Sequence, residues 1–200
     1  MEKLMKATKC LKNRMFSITL ISSNLFSGWL GLDLIYQFQQ ENVSIVYAEG
    51  ESMLPTFENG SYFIMNSDEA SINHITHNDF ITFDTRIGKN FLKRVIAVGG
   101  DTVEIKDSAL YVNGTLVEED YINESEWGMD EAGKIAWDND NKIVVPNGEY
   151  FVLGDNRNHS TDSRSFGIRT IKKEDVIGVV RPIEKQMGEA LYNCQQSLSK

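Results

Sequence analysis

Short alternations of apolar and polar residues recur along the chain from position 43 onward, and turn residues separate most of them. Such runs are typical of β-strands with one buried face. The strands predicted in this way cover residues 43–47, 61–65, 80–83, 91–98, 102–105, 110–112, 143–145, 150–153 and 176–181. We therefore expect residues 43–182 to form a mostly antiparallel β fold.

Local signals refine this prediction. Asn113 and Gly114 lie between two apolar runs, and because both central positions of a tight hairpin turn need positive φ, this pair predicts a hairpin. Short helices or turns are expected at residues 68–79 and 171–175. The tail, residues 183–200, is expected to be disordered or to form a short amphipathic helix.

The first forty residues differ from this body. Five basic residues come first, namely Lys3, Lys6, Lys9, Lys12 and Arg14, and an uncharged stretch over residues 15–32 follows, with apolar residues continuing to position 38. This stretch has about the length of a transmembrane helix, although serine, threonine and asparagine residues dilute it. A buried amphipathic helix, a cleaved secretory signal and an uncleaved membrane anchor are the three interpretations.

The uncleaved anchor is the interpretation we favour. Consecutive Ser22, Ser23 and Asn24 would spread polar groups around a buried helix, and a small-x-small cleavage site is poorly supplied. We therefore expect a basic flank over residues 1–14 and an anchor over residues 15–38. The basic flank would hold the N-terminus in the cytoplasm and leave the body on the other side of the membrane.

The charge distribution of this 200-residue chain limits the classes of partner to be expected. Its formal net charge is −9, and the acidic segment, residues 118–142, contributes −7 of this through nine acidic residues and two lysines. We expect that segment to be an extended insertion between strands. No basic stripe outside the N-terminus offers phosphate groups an electrostatic surface, so nucleic acid is not an expected partner.

Three short motifs carry the candidate chemistry. Ser52 opens the turn Ser-Met-Leu-Pro-Thr, and Lys93 begins the segment Lys-Arg-Val-Ile, with Gly100 and Asp101 after three further residues. Residues 154–164 read Gly-Asp-Asn-Arg-Asn-His-Ser-Thr-Asp-Ser-Arg. Each motif alone is typical of ordinary turns or surface strands. Together, in this order over residues 46–182, they resemble the type I signal peptidases, and Gly50, two residues before Ser52, resembles their Gram-positive members.

This resemblance implies an N-terminal transmembrane helix, a signal-peptidase-like β fold and a serine-lysine dyad. Ser52 would be the nucleophile, Lys93 the general base and acid, and Ser160 the hydroxyl that orients Lys93. The backbone N–H of Ser52 would stabilise the oxyanion, whereas Gly50 stands where some family members supply a second hydroxyl donor. Asp162 and Arg164 would form a structural ion pair near the site.

The surroundings of Lys93 fit a catalytic base, because a lysine can take the serine proton only in its neutral form. Burial against apolar groups lowers a lysine pKa toward neutrality. Strand alternation sends Phe91, Lys93 and Val95 to one face and Leu92 and Arg94 to the other. Lys93 is therefore expected to point inward, with Arg94 solvated.

The substrate is expected to lie as an added strand between the segments that lead to Ser52 and to Lys93. The candidate substrate-binding residues are Ala48, Glu49, Glu51, Met53, Asn90, Phe91 and Leu92. By the resemblance, the partners are the signal peptides of exported preproteins and the lipid bilayer, with no metal and no cofactor, and the protein is expected to be a monomer. Its location would be the plasma membrane or, alternatively, the mitochondrial inner membrane facing the intermembrane space.

Three rival interpretations are weaker. A catalytically silent relative would be expected to lose Ser52 or Lys93, and a self-cleaving repressor would need a DNA-binding domain where this chain has its apolar run. A triad of Ser52, His159 and Asp162 is disfavoured because the last two residues lie on one short loop.

Overall fold

The computed structural model describes residues 42–86, 88–106, 109–122 and 142–198. The predicted basic flank (1–14), the predicted anchor (15–38) and all but the ends of the acidic segment lie outside these residues. Within the described ranges, no helix combines the length and the apolar character needed to cross a bilayer.

Eleven strands and two α-helices make up the described part of the chain. The strands are β1 (Val43–Tyr47), β2 (Tyr62–Asn66), β3 (Phe80–Asp84), β4 (Asn90–Val98), β5 (Thr102–Lys106), β6 (Ala109–Val112), β7 (Thr115–Leu116), β8 (Lys142–Val144), β9 (Glu149–Leu153), β10 (Ile171–Lys172) and β11 (Val176–Ile183). The helices are α1 (Glu69–Asn73) and α2 (Lys185–Leu198), and 3-10 turns cover Arg157–His159 and Lys173–Asp175.

The strands form two antiparallel sheets. The larger sheet has the order β1-β2-β11-β3-β4-β9-β10, and the smaller has the order β7-β6-β5-β8. All the described pairings are antiparallel, so the predicted mostly antiparallel β fold is confirmed. The hairpin predicted at Asn113 and Gly114 joins β6 to β7, and both residues have positive φ.

The core follows from the alternation within the central strands. Ile81 and Phe83 of β3 are fully buried, and so are Val152 and Leu153 at the end of β9. β4 is buried over most of its length and separates two core clusters, one on each side of the sheet. Side chains on β4 therefore have little access to water whichever face they occupy.

Of the two segments expected to form short helices or turns, residues 68–79 agree with that expectation and residues 171–175 differ from it in part. Residues 171–175 form the short strand β10 and a 3-10 turn, because Ile171 is buried and pairs with Tyr150 of β9. Within residues 68–79 only Glu69–Asn73 is helical, and the side chain of Asp68 caps it by accepting a hydrogen bond from the Ser71 N–H.

The tail forms a 14-residue helix, α2, rather than a disordered segment. Leu191 of this helix is buried against Ile45 of β1. The side chain of Gln195 forms hydrogen bonds with the edge strand β1 of the kind that a neighbouring strand would form. Its Oε1 accepts from the Ile45 N–H at 2.8 Å, and its Nε2 donates to the Ile45 carbonyl at 3.1 Å. The helix thereby satisfies backbone groups on the open edge of the larger sheet.

Candidate active site

Lys93 occupies a central position in the larger sheet. β4 pairs with β3 on one side, where Lys93 lies opposite Ile81, and with β9 on the other, beginning at Arg94 opposite Leu153. The Lys93 residue is only 3% exposed. Its ammonium-bearing side chain is thus held by a nine-residue strand whose own position is fixed by neighbours on both sides.

Ser52 lies in a tight turn that follows β1. The Leu54 N–H donates to the Glu51 carbonyl at 3.1 Å, and the Phe57 N–H donates to the Met53 carbonyl at 2.9 Å. The Leu54–Pro55 peptide bond in this turn is cis. The two backbone hydrogen bonds fix the conformation of the turn that carries Ser52.

The two side chains meet at hydrogen-bonding distance. Lys93 Nζ donates to Ser52 Oγ at 2.7 Å and to the Leu92 carbonyl at 2.9 Å, and it lies 5.1 Å from the centre of the Phe91 ring. In the neutral amine the same 2.7 Å separation allows Nζ to accept the serine proton instead. A nucleophile and a base in direct contact are the arrangement that covalent hydrolysis requires.

Burial lowers the pKa of Lys93 from 10.5 to about 8, because the ammonium form is removed from water. The carboxylates of Asp162 and Asp155 partly oppose this shift, whereas the positive charge of Arg164 reinforces it. A substantial fraction of the amine is therefore neutral near neutral or mildly alkaline pH.

The loop that carries the third motif is hydrogen-bonded to the serine turn. β9 ends at Leu153, and the following loop donates from the Asn156 N–H to the Ser52 carbonyl at 3.0 Å and from Asn156 Nδ2 to the Glu51 carbonyl at 3.1 Å. A Cβ added at Gly154 would lie 2.5 Å from the Ser52 carbonyl oxygen and would also overlap the Ser160 side chain. Glycine at position 154 is therefore required for this close approach.

Asp162 and Arg164 lie together as an ion pair, with Arg164 Nε at 2.9 Å from Asp162 Oδ1 and Arg164 Nη2 at 2.9 Å from Oδ2. Asp162 also accepts from the Gly154 N–H at 3.0 Å. Burial acts to raise the pKa of Asp162, but Arg164 and these hydrogen bonds outweigh it and hold that pKa below its usual value. The carboxylate fixes the loop that faces the dyad.

The contacts of Ser160 and Gly50 give little direct support to the roles predicted for these two residues. The Ser160 hydroxyl oxygen is buried and has no hydrogen-bond partner of normal geometry among the described residues, although it is close enough to Asp162 to help lower that pKa. The orientation of Lys93 by Ser160 stays a prediction. Gly50 has φ near +112° and donates its N–H to Asn59 Oδ1 at 2.9 Å.

The expectation that Arg94 is solvated is wrong. Its side chain is buried and forms a two-bonded ion pair with Asp155, at 2.9 Å from Oδ1 and 2.7 Å from Oδ2. The physical reason is that both faces of β4 are covered, so its alternation separates two buried surfaces. The Thr56 hydroxyl also donates to Asp155. Asp155 thereby links β4 to the serine turn.

A cavity of about 270 Å³ opens beside the dyad. It is lined by the candidate substrate-binding residues Ala48, Glu49, Glu51, Met53, Asn90, Phe91 and Leu92, by Gly50, Ser52, Lys93 and His159, and by Phe57, Glu58 and Thr161, which the sequence did not single out. β9 pairs with β4 only from Arg94 onward. Among the described residues, positions 90–92 therefore keep one unpaired backbone edge facing the cavity.

The histidines do not form a competing site. His159 is exposed at the mouth of the cavity, whereas Ser52 Oγ is bonded to Lys93 and the Asp162 carboxylate is bonded to Gly154 and Arg164. His77 pairs with Asp101 at 2.7 Å on the surface. Over the described residues, no group of three or more potential metal ligands occurs.

Comparisons with known proteins agree on one family. The family model described as signal peptidase, peptidase S26, matches residues 32–183. Signal peptidase I U of Bacillus subtilis (strain 168) is 34% identical over 70% of this chain and 75% of its own length. Signal peptidase I V of the same organism is 36% identical over 68% of this chain and 82% of its own.

Two further relatives come from other organisms. Signal peptidase IB of Staphylococcus aureus (strain N315) is 34% identical over 66% of this chain and 72% of its own. A crystal structure of a signal peptidase I from Enterococcus faecalis V583 is 36% identical, covers 54% of this chain and 97% of its own, and aligns with a TM-score of 0.44.

The lowered pKa of Lys93 predicts that the buried amine destabilises the fold. Below pH 8 the lysine is protonated in both states and the full cost is present, whereas between pH 8 and 10.5 the unfolded state binds more protons, so stability rises with pH. Lys93→Met should therefore be more stable than the wild type by about 3 kcal/mol at pH 7. Chemical denaturation should show the gap closing between pH 8 and 10.5.

Lys172→Met is the matched control, because the Lys172 side chain is 51% exposed. Its stability difference from the wild type should stay nearly constant over the same pH range. If the stability difference between Lys93→Met and the wild type is also independent of pH, the lowering of the Lys93 pKa by burial is contradicted.

Proposed function

The chain belongs to the signal peptidase family, peptidase S26, and we propose that it is a membrane-anchored enzyme that works through a dyad of Ser52 and Lys93. Membership in the type I signal peptidases makes the chain a serine endopeptidase that removes signal peptides. The observation that carries the dyad is the 2.7 Å contact between Lys93 Nζ and Ser52 Oγ in a setting where Lys93 is 3% exposed.

In the proposed reaction, neutral Lys93 takes the proton of Ser52 as Oγ attacks the scissile carbonyl carbon. The tetrahedral intermediate collapses when the C–N bond breaks, and the Lys93 ammonium gives its proton to the departing amine of the mature protein. The signal peptide remains as an ester on Ser52. Lys93, neutral again, then takes a proton from water as the water oxygen attacks the ester carbonyl. When the C–Oγ bond breaks, the Lys93 ammonium returns that proton to Ser52 Oγ, and the signal peptide leaves with a carboxyl group that ionises in water.

The cavity supports an extended substrate. The unpaired backbone edge at residues 90–92 and the segment 48–51 both line the cavity, which supports binding of a preprotein segment between them as an added strand. Its scissile carbonyl would then lie next to Ser52 Oγ. Ser52 N–H is the proposed oxyanion donor. Because every residue in this arrangement comes from one chain, a monomer is sufficient.

We expect replacement of either dyad residue to abolish cleavage. In purified full-length protein in detergent, Ser52→Ala and Lys93→Ala should each lower kcat for a preprotein with an Ala-x-Ala site by at least about 1000-fold, because nucleophile and base act as a unit. Ser61→Ala and Lys172→Ala, with no part in the dyad, should stay close to wild type. Folded Lys93→Ala with near-normal kcat would rule out the lysine as base.

The pH dependence of cleavage should follow Lys93. Because only the neutral amine can accept the serine proton, kcat/KM should rise with pH and level off above a midpoint near 8. The measurement is the initial rate at low substrate concentration from pH 5.5 to 10. A midpoint near 6.5, the ordinary pKa of histidine, would instead favour a histidine base such as His159.

The proposed anchor covers residues 15–38 and would place the body outside the cytoplasm. Bacterial relatives from Bacillus and Staphylococcus favour the plasma membrane over the mitochondrial alternative. The protein should remain in the membrane pellet after alkaline extraction, and protease added to intact spheroplasts should digest the body. Release of full-length protein by alkali, or protection of the body in intact cells, would contradict this topology.

A further inference from the structure

The chain that enters the acidic segment is tied to the active site by two buried arginines. Glu119 accepts from Arg157 Nη2 at 2.5 Å and from Arg157 Nη1 at 3.1 Å, and the Tyr121 ring lies 3.7 Å from the guanidinium carbon of Arg94. The Tyr121 hydroxyl donates to Glu119 Oε1 at 2.7 Å, which joins the two contacts. We call Glu119, Tyr121, Arg94 and Arg157 the clasp.

The residues of the clasp are largely buried. The Arg157 side chain is 0% exposed and that of Glu119 is 5% exposed. Arg94 is held between two rings, with Phe80 at 4.5 Å on the side of the sheet and Tyr121 at 3.7 Å. A cation–ring contact that is removed from water is stronger than an exposed one, and a buried charge that loses its partner is strongly destabilised.

Each arginine of the clasp leads directly to the dyad. Arg94 is the residue after Lys93, and through Asp155 it is bonded to Thr56 in the serine turn. Arg157 Nε donates to the Gly154 carbonyl at 2.9 Å, and Gly154 is the residue that packs against the Ser52 carbonyl.

From this geometry we propose that Glu119 and Tyr121 are positioning residues, which hold Ser52 and Lys93 at their reactive separation through Arg157 and Arg94. The inference rests on the proposed dyad. It assigns a role to the start of the acidic segment, where Glu119 and Tyr121 contact the two arginines that lead to the dyad. Neither residue lines the cavity beside the dyad, so their loss should affect the chemical step more than substrate binding.

The first test is steady-state kinetics of full-length protein in detergent with a preprotein substrate. Tyr121→Leu and Glu119→Gln should lower kcat by about 10- to 100-fold while KM changes by less than about threefold, because small displacements of reacting groups cost that much. Tyr121→Phe keeps the ring over Arg94 and should stay within about fivefold of wild type. Glu118→Gln removes the same charge from an exposed neighbour and should match wild type.

The second test does not depend on activity. NMR of lysine-labelled protein, assigned with Lys93→Met, gives the pKa of Lys93 directly. In Tyr121→Leu, water should reach the amine and the pKa should rise from about 8 toward 10.5, whereas Tyr121→Phe should retain the wild-type value. The fraction of folded protein, from circular dichroism at the assay temperature, normalises each kcat.

The outcomes distinguish a failure of the positioning role from a failure of the proposed function. Wild-type kcat and an unchanged Lys93 pKa in folded Tyr121→Leu and Glu119→Gln would overturn the positioning role. A loss of kcat that merely follows the unfolded fraction, with Lys93 still near pKa 8, would overturn it too. If wild-type protein cleaves no preprotein, the proposed function fails, and the Lys93 pKa in the Tyr121 variants alone supports or overturns this inference.

Discussion

The burial of the Lys93 amine beside Ser52 is the constraint on which the rest of the structure depends. An ammonium group removed from water costs free energy, and that cost lowers the pKa of Lys93, as the proposed role of this lysine as a base requires. The surrounding fold must therefore be stable enough to enclose this group. A central strand with partners on both sides supplies this rigidity, because Lys93 cannot turn outward without breaking the pairing of β4 with β3.

The other buried charges around the site are paired, and this distinguishes them from Lys93. Arg94 has Asp155, Arg157 has Glu119, and Asp162 has Arg164. Pairs of this kind contribute little net stability compared with apolar packing, but losing one partner is costly, so they fix geometry more than they stabilise the fold. Here they connect β4, the serine turn and the loop after β9. The dyad is thus framed by contacts that tolerate only one arrangement.

Much of the fold could be predicted from the chain because its strands are short, alternate clearly and end at turn residues. The strand predicted at residues 43–47 and the hairpin at Asn113 and Gly114 lie where their patterns placed them. Arg94 could not be read correctly, because alternation alone cannot tell an exposed face from a second buried one. The contacts of Glu119 and Tyr121 join positions far apart in sequence, and nothing local in that acidic stretch indicated that two of its residues face inward.

The oxyanion side of the site shows how backbone conformation limits which donors are available. A Cβ added at Gly50 would meet no atom within 4 Å. Its φ near +112°, however, is one that residues with a Cβ adopt only with strain. The Gly50 N–H donates to Asn59 Oδ1 at 2.9 Å. Gly50 therefore brings no hydroxyl to this side of the site, and the proposed oxyanion stabilisation would depend chiefly on the Ser52 N–H.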